Sequence, residues 1–281
     1  LPIYKLQHKR DKQNMVHKPP LKAYEDIEFL NSDPCRPARL QLEYLKPEVT
    51  MDEHQIKSTI VVFGSARIPD PETAAAELEQ AEQKQAGNPD DKQLLFELRR
   101  ARHMKEQSHY YEVAREFARV VSECSTNNEN CDFVIMTGGG GGIMEAANRG
   151  AHDAKARSIG LNISIPFEQL ENPYITEGLC FQFHYFSIRK MHFLKRARAL
   201  CALPGGFGTM DELFETLTLI QTRKIDPIPV VLFGEHFWRE AINWDLFGER
   251  GLIEPDDLNI IRFCEEPREA WDYIRDFWAH H

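Results

Sequence analysis

Leu203-Pro204-Gly205-Gly206-Phe207-Gly208-Thr209-Met210-Asp211-Glu212 is the stretch on which the reading of this chain turns. The apolar run Ala199 to Leu203 leads into it, and an amphipathic run carrying Leu213, Leu217 and Ile220 leads out. That order reads as strand, glycine turn, helix. Glycines let the backbone pass close to a ligand and adopt positive φ. The helix start offers unpaired N–H groups and a partial positive charge, a natural seat for a phosphate. Glu212, one turn further on, is then close enough to act on whatever the phosphate anchors. Thr209 and Glu212 also have capping-box spacing, which would stabilise a helix end with no chemistry at all. A second glycine loop favours the site over the cap.

That second loop is Thr137-Gly138-Gly139-Gly140-Gly141-Gly142-Ile143-Met144-Glu145, which follows the strand Asp132 to Met136 and opens a helix through Ala154. Five consecutive glycines are an entropic cost unless the backbone must approach something closely. After Gly138 and Gly140 the third fingerprint position is Ile143, so this is no dinucleotide motif, and no Walker lysine is present. The loop points to a mononucleotide or a sugar phosphate; the alternative is a flexible turn.

Other segments complete an open sheet. Thr59 to Phe63 is a β-branched strand ending in Gly64-Ser65, which puts Ser65 and Arg67 at its carboxyl end, where ligands of open α/β sheets collect. Ser158 to Ile163, Cys180 to Phe186 and Ile228 to Gly234 read as further strands. Glu168 and Glu171 lie in the loop after the first of these, placed either to reach a base or ribose or to stay in solvent. Ser187 is the expected cap of a helix carrying Arg189 and Lys190 in its first turn. Cations there oppose the helix dipole, so an anion or carboxylate partner is expected.

The fold class is therefore α/β, a doubly wound parallel sheet forming one catalytic domain over residues 58–281. Residues 1–57, punctuated by Pro19-Pro20, Asp33-Pro34 and Arg36-Pro37, form an N-terminal arm whose first dozen residues are expected to be disordered. Residues 71–125 form a charge-rich helical insertion, split at Gly87-Asn88-Pro89 into two helices and read as a solvated hairpin or dimer-contact arm.

The 281 residues carry a net charge of -10, which argues against nucleic acid or an anionic membrane as partner. The polar stretch Leu1 to Lys18 does not read as a secretory signal. Six cysteines without a C-x-x-C pair suit the reduced thiols of a cytoplasmic protein, and eleven scattered histidines predict no structural metal.

Pro204 to Glu212 matches P-G-G-x-G-T-x-x-E, Arg189-Lys190 lies upstream at the matching spacing, and Thr137 to Gly140 precedes Gly142-Ile143-Met144. By these residues the chain resembles the Lonely-guy (LOG) family of cytokinin-activating phosphoribohydrolases, long mislabelled "lysine decarboxylases", in its longer, bacterial-type branch. The resemblance covers about Thr59 to Gly234. It implies a Rossmann-like fold, a nucleoside 5′-monophosphate substrate, hydrolysis of the base–ribose bond without a cofactor, and a homo-oligomer, either a dimer or dimers assembled into a hexamer. It makes Arg189 and Glu212 the catalytic pair. It gives ligand contacts to Lys190, Gly205, Gly206, Gly208, Thr209 and Thr218, with an acidic contact from Glu168 or Glu171; the strand-end and glycine-loop readings add Ser65, Gly138, Gly139, Gly140, Gly142, Met144 and Phe207 as candidate contacts.

Cleavage of an N-glycosidic bond builds positive charge on the ribose. On this reading Glu212 stabilises that charge and takes a proton from the attacking water, while Arg189 pairs with Glu212 or with ribose oxygens and keeps the carboxylate ionised. Two rivals stand beside it: a non-catalytic nucleotide or molybdenum-cofactor carrier, and an amino-acid decarboxylase. The second needs a pyridoxal phosphate lysine, and no lysine sits in a recognisable cofactor loop.

Overall fold

A computed structural model describes residues 20–125, 132–165 and 170–280. The first nineteen residues, and with them the readings of a disordered start and of no secretory signal, lie outside that range. The chain divides into two compact units between Leu42 and Glu43. The first holds α1 (Ile27–Asn31), capped by Asp26, and the start of α2 (Arg36–Glu53). There Arg39 donates to the carbonyls of Leu30 and Ser32.

In the second unit the elements after α2 run β1 (Thr59–Phe63), α3 (Pro71–Gly87), α4 (Lys92–Gln107), α5 (His109–Ser125), β2 (Val134–Thr137), α6 (Ile143–Asp153), β3 (Ser158–Ile163) and β4 (Cys180–Phe183). Then follow α7 (Phe186–Lys195), β5 (Ala197–Ala202), α8 (Phe207–Gln221), β6 (Val230–Phe233), α9 (Glu235–Ala241), α10 (Trp244–Glu249), β7 (Ile261–Cys264) and α11 (Pro267–Ala279). The seven strands form one all-parallel sheet in the order β4-β3-β2-β1-β5-β6-β7. This is the doubly wound α/β architecture expected. Every residue of β1, β2, β3 and β6 is buried, because helices cover both faces and leave no solvated side to alternate with.

The chain winds outward from β1 to β4, then returns to place β5 on the other side of β1. Such a reversal leaves a crevice outside the carboxyl ends of the two central strands, between loops that turn away to opposite faces. The loops after β1 and β5 are Gly64-Ser65 and Pro204-Gly205-Gly206, two of the segments singled out by sequence.

The charge-rich stretch after β1 forms three helices rather than two. α3 and α4 bury only Ala74, Leu98 and Ala101, so they match the solvated hairpin. α5 does not. Its Tyr111, Ala114, Phe117, Ala118 and Val121 are fully buried in the core on one side of the sheet, which makes it the crossover helix between β1 and β2. Its charges sit on the opposite face, where Arg119 pairs with Glu116 and Glu123 and Arg115 with Asp153. α5 crosses α6 closely: a Cβ on Gly150 would lie 2.0 Å from the carbonyl oxygen of Arg115.

Candidate active site

The carboxyl ends of the central strands line a cleft of about 870 Å³. Ser65 ties its floor together: its N–H donates to the carbonyl of Pro204 at 3.0 Å, and its own carbonyl accepts from the N–H of Ile143 at 3.1 Å. One residue of the β1 loop thus spans both glycine loops and fixes their separation. Its hydroxyl accepts from the N–H of Arg67, whose exposed side chain lines the same cleft.

The first turn of α8 forms one wall. Its N-cap is Gly206, with no side-chain cap, so Thr209 stands at the third helical position and Glu212 at the sixth. The capping-box reading therefore fails: the N-cap lies three residues before Thr209, and the Glu212 side chain lies a turn too deep to reach the unpaired N–H groups. Gly205 is required by the Thr209 hydroxyl, since a Cβ there would sit 2.1 Å from Oγ1. Phe207 is 97% exposed at the mouth.

Glu212 is 7% exposed and lines the cleft. Burial pushes its carboxyl up to about 7, while the charges of Arg189 and Lys190 work in the opposite direction. Desolvation wins, so the carboxylate is not held fully ionised at neutral pH, as the sequence reading supposed. It is poised to take or give a proton there.

Arg189 enters from α7. Its Nε donates to the carbonyl of Leu161 at 2.7 Å, and its guanidinium lies over the Phe193 ring, 4.9 Å from the centroid. Burial pulls it below its ordinary value and the charge of Glu212 opposes this. The two make no direct ion pair but feel each other's charge in the cleft. Gly138 leaves the room that the arginine occupies: a Cβ there would fall 2.7 Å from Nη2 and 2.8 Å from the sulfur of Met144. The expected Ser187 cap is not formed; the N-cap of α7 is Tyr185, without a side-chain hydrogen bond.

Of the residues singled out by sequence, the cleft gathers Ser65, Gly138, Met144, Arg189, Gly205, Gly206, Phe207, Gly208, Thr209 and Glu212. Others lie elsewhere. Lys190 bridges Asp211 at 2.9 Å and Glu215 at 3.1 Å, bracing α7 against α8 rather than facing the cleft. Thr218 lies two turns beyond Glu212, with its hydroxyl on the carbonyl of Phe214. Gly139, Gly140 and Gly142 serve the chain itself. The carbonyls of Gly139 and Gly140 accept from the backbone and side chain of buried Asn172. Asn172 also donates to Asn148, which accepts from Thr137. Gly142 has φ 63°, and a Cβ there would lie 2.4 Å from the carbonyl oxygen of Ser65. Glu168 falls outside the described residues, and Glu171 is exposed, its carboxylate beside the Cys180 thiol.

The sequence reading passed over the apolar wall: Phe63, Ile163, Ile165, Phe186, Phe237 and Ala241. A usable signal existed for Phe63, Ile163, Ile165 and Phe186, which lie at or just beyond the carboxyl end of a strand, whereas Phe237 and Ala241 come from α9. Among the described residues no group of three or more His, Cys, Asp or Glu side chains is placed to hold a metal, and no helix is long and apolar enough to cross a membrane.

A probable cytokinin riboside 5′-monophosphate phosphoribohydrolase of rice (Oryza sativa subsp. japonica, LOGL3) is 28% identical over 153 residues, covering 53% of this chain and 70% of the relative. The cytokinin riboside 5′-monophosphate phosphoribohydrolase LOG3 of Arabidopsis thaliana is 30% identical over 155 residues, 55% of this chain and 71% of the relative. A family model described as "Possible lysine decarboxylase" matches residues 144–274. The chain belongs to the Lonely-guy (LOG) family. Aligned segments span between 44% and 74% of the curated LOG relatives' lengths. Among solved structures, the molybdenum cofactor carrier protein of Chlamydomonas reinhardtii aligns at 18% identity and a TM-score of 0.47, over 80% of this chain and 99% of that one.

Proposed function

We propose that this LOG-family protein hydrolyses the N-glycosidic bond of a nucleoside 5′-monophosphate, AMP or a cytokinin riboside 5′-monophosphate, to the free base and ribose 5-phosphate. The observation that carries this reading is Glu212: a buried carboxyl in the wall of a ligand-sized cleft, tied to no helix cap and poised at about 7. A merely structural carboxylate buried this far would be paired.

In the proposed reaction the N-terminus of α8, with the Gly205-Gly206 turn and Arg67, takes the 5′-phosphate. The ribose then lies against the second turn of α8, where ionised Glu212 accepts a proton from water attacking C1′ and offsets the positive charge growing on the sugar. The guanidinium of Arg189 offers its terminal N–H groups to ribose oxygens, its Nε being held by Leu161. The apolar wall suits the flat, largely apolar body of a base. The cleft's lining, among the described residues, includes no lysine, which weighs against the pyridoxal chemistry of a decarboxylase.

A panel of nucleoside 5′-monophosphates, assayed for ribose 5-phosphate release, tests the proposal. Release from at least one purine nucleotide is expected. Tight binding with no release from any member would leave a carrier as the better description.

A further inference from the structure

α7 brings Arg189 into the cleft, yet its first turn is poorly held by the rest of the chain. Phe193 anchors the body of the helix, buried edge-on against Phe63 with ring centroids 4.7 Å apart. Phe186 and Ser187 at its start are exposed, and its N-cap residue supplies no side-chain bond. The missing cap comes from far away in sequence. Glu43, on α2, accepts from the N–H of His184 at 2.9 Å with one carboxylate oxygen and from the N–H of Tyr185 at 3.1 Å with the other. A carboxylate there satisfies two backbone donors and complements the positive end of the helix.

The other end of α7 is gripped by the same helix α2. Glu48, buried, lies 2.7 Å from the Lys195 ammonium, 3.0 Å from the Arg196 guanidinium and 3.2 Å from Nδ1 of His192. Burial pushes its carboxyl up, but Lys195 and Arg196 outweigh that and hold it below the usual range. Asp52 adds a bond to Arg196 at 2.7 Å, and Tyr44 meets Lys195. These contacts all come from the part of α2 that belongs to the second unit.

We infer that Glu43 and Glu48 are positioning residues: α2 fixes both ends of α7 and so sets where the Arg189 guanidinium stands relative to Glu212. Glu43 is the sharper of the two, because it holds the turn that carries Arg189. A displacement on the order of 1 Å at a catalytic group is enough to cost about a hundredfold in rate. The inference rests on Arg189 serving the cleft as proposed above.

The test is a cycle of Glu43→Ala, Arg189→Ala and the double variant in the full chain, with Glu43→Gln as the conservative partner. Glu43→Ala is expected to lower kcat/KM for AMP by about tenfold to a hundredfold, mainly in kcat, with Glu43→Gln recovering part because one oxygen still accepts. In the Arg189→Ala background the same change should cost less than about twofold, since the group it positions is gone. An equal loss in both backgrounds would show general damage to the fold and overturn the inference. If no nucleotide is hydrolysed, the reaction proposed above fails, and the cycle is read instead in AMP affinity and in amide exchange over His184 to Lys190. Faster exchange with non-additive loss of affinity supports positioning; unchanged exchange in Glu43→Ala overturns it.

Discussion

Replacing Glu212 by Gln keeps the shape of the side chain and removes its charge. The structure gives that change an unusual pair of consequences. The carboxyl is raised from 4.5 to about 7 by burial, against the pull of Arg189 and Lys190. A raised carboxyl means that the native state holds a proton which the unfolded chain has already released. Stability is then greatest below the unfolded value and declines as pH climbs toward the folded one. Over this window the loss comes to about 3 kcal/mol, at roughly 1.4 kcal/mol per pH unit. Gln mimics the protonated acid at every pH. The variant should therefore match the natural protein near pH 4.5, gain on it steadily, and be more stable by about 3 kcal/mol at pH 8, while turnover drops by roughly a hundredfold to ten-thousandfold. Urea titrations at pH 5 and pH 8, with base release measured in parallel, provide the assay. A variant less stable than the natural protein at pH 8 would mean that the carboxylate is held by favourable contacts, which would refute the reasoning from burial.

Four further changes probe the scaffold. Gly138→Ala pushes on the Arg189 guanidinium and the Met144 sulfur, both flexible ends, so kcat/KM should fall by about tenfold or more while the melting temperature moves only a few degrees. Gly142→Ala instead meets the backbone of Ser65 at a positive φ, and urea unfolding should show a loss of several kcal/mol. Phe117→Ala should cost about 3–5 kcal/mol because α5 belongs to the core, whereas Phe96→Ala, at a position 60% exposed on α4, should fall within about 0.5 kcal/mol.

Much of the fold was legible because strands such as Thr59–Phe63 and Val230–Phe233 are apolar, β-branched runs that end at a glycine. β7 escaped because Ile261–Cys264 is four residues long, has an arginine in its middle and lacks a glycine turn. α5 was misplaced because its dense surface charges masked a fully buried apolar stripe at helical spacing. At the site, the motif around Gly205 and Glu212 and the single Arg189 came together in one cleft, since each follows a strand end. Lys190 did not: neighbouring residues on a helix point about 100° apart, and only the packing of α7 on α8 decides which one faces the cleft. The middle glycines of the Gly138 loop do not line the cleft, for a different reason. Their backbone does approach something closely, but that partner is Asn172 and the β1 loop of the chain itself. The role of Glu43 depends on a contact across 141 residues that no local pattern encodes.

The most direct measurement is a crystal structure of the Glu212→Gln protein with AMP bound. The phosphate is predicted to lie on the N–H groups at the start of α8, with the residue 212 side chain within hydrogen-bonding reach, about 2.6–3.2 Å, of a water held next to C1′. A nucleotide seated with its ribose on the far side of the cleft from α8, leaving residue 212 without contact to sugar or water, would contradict the account.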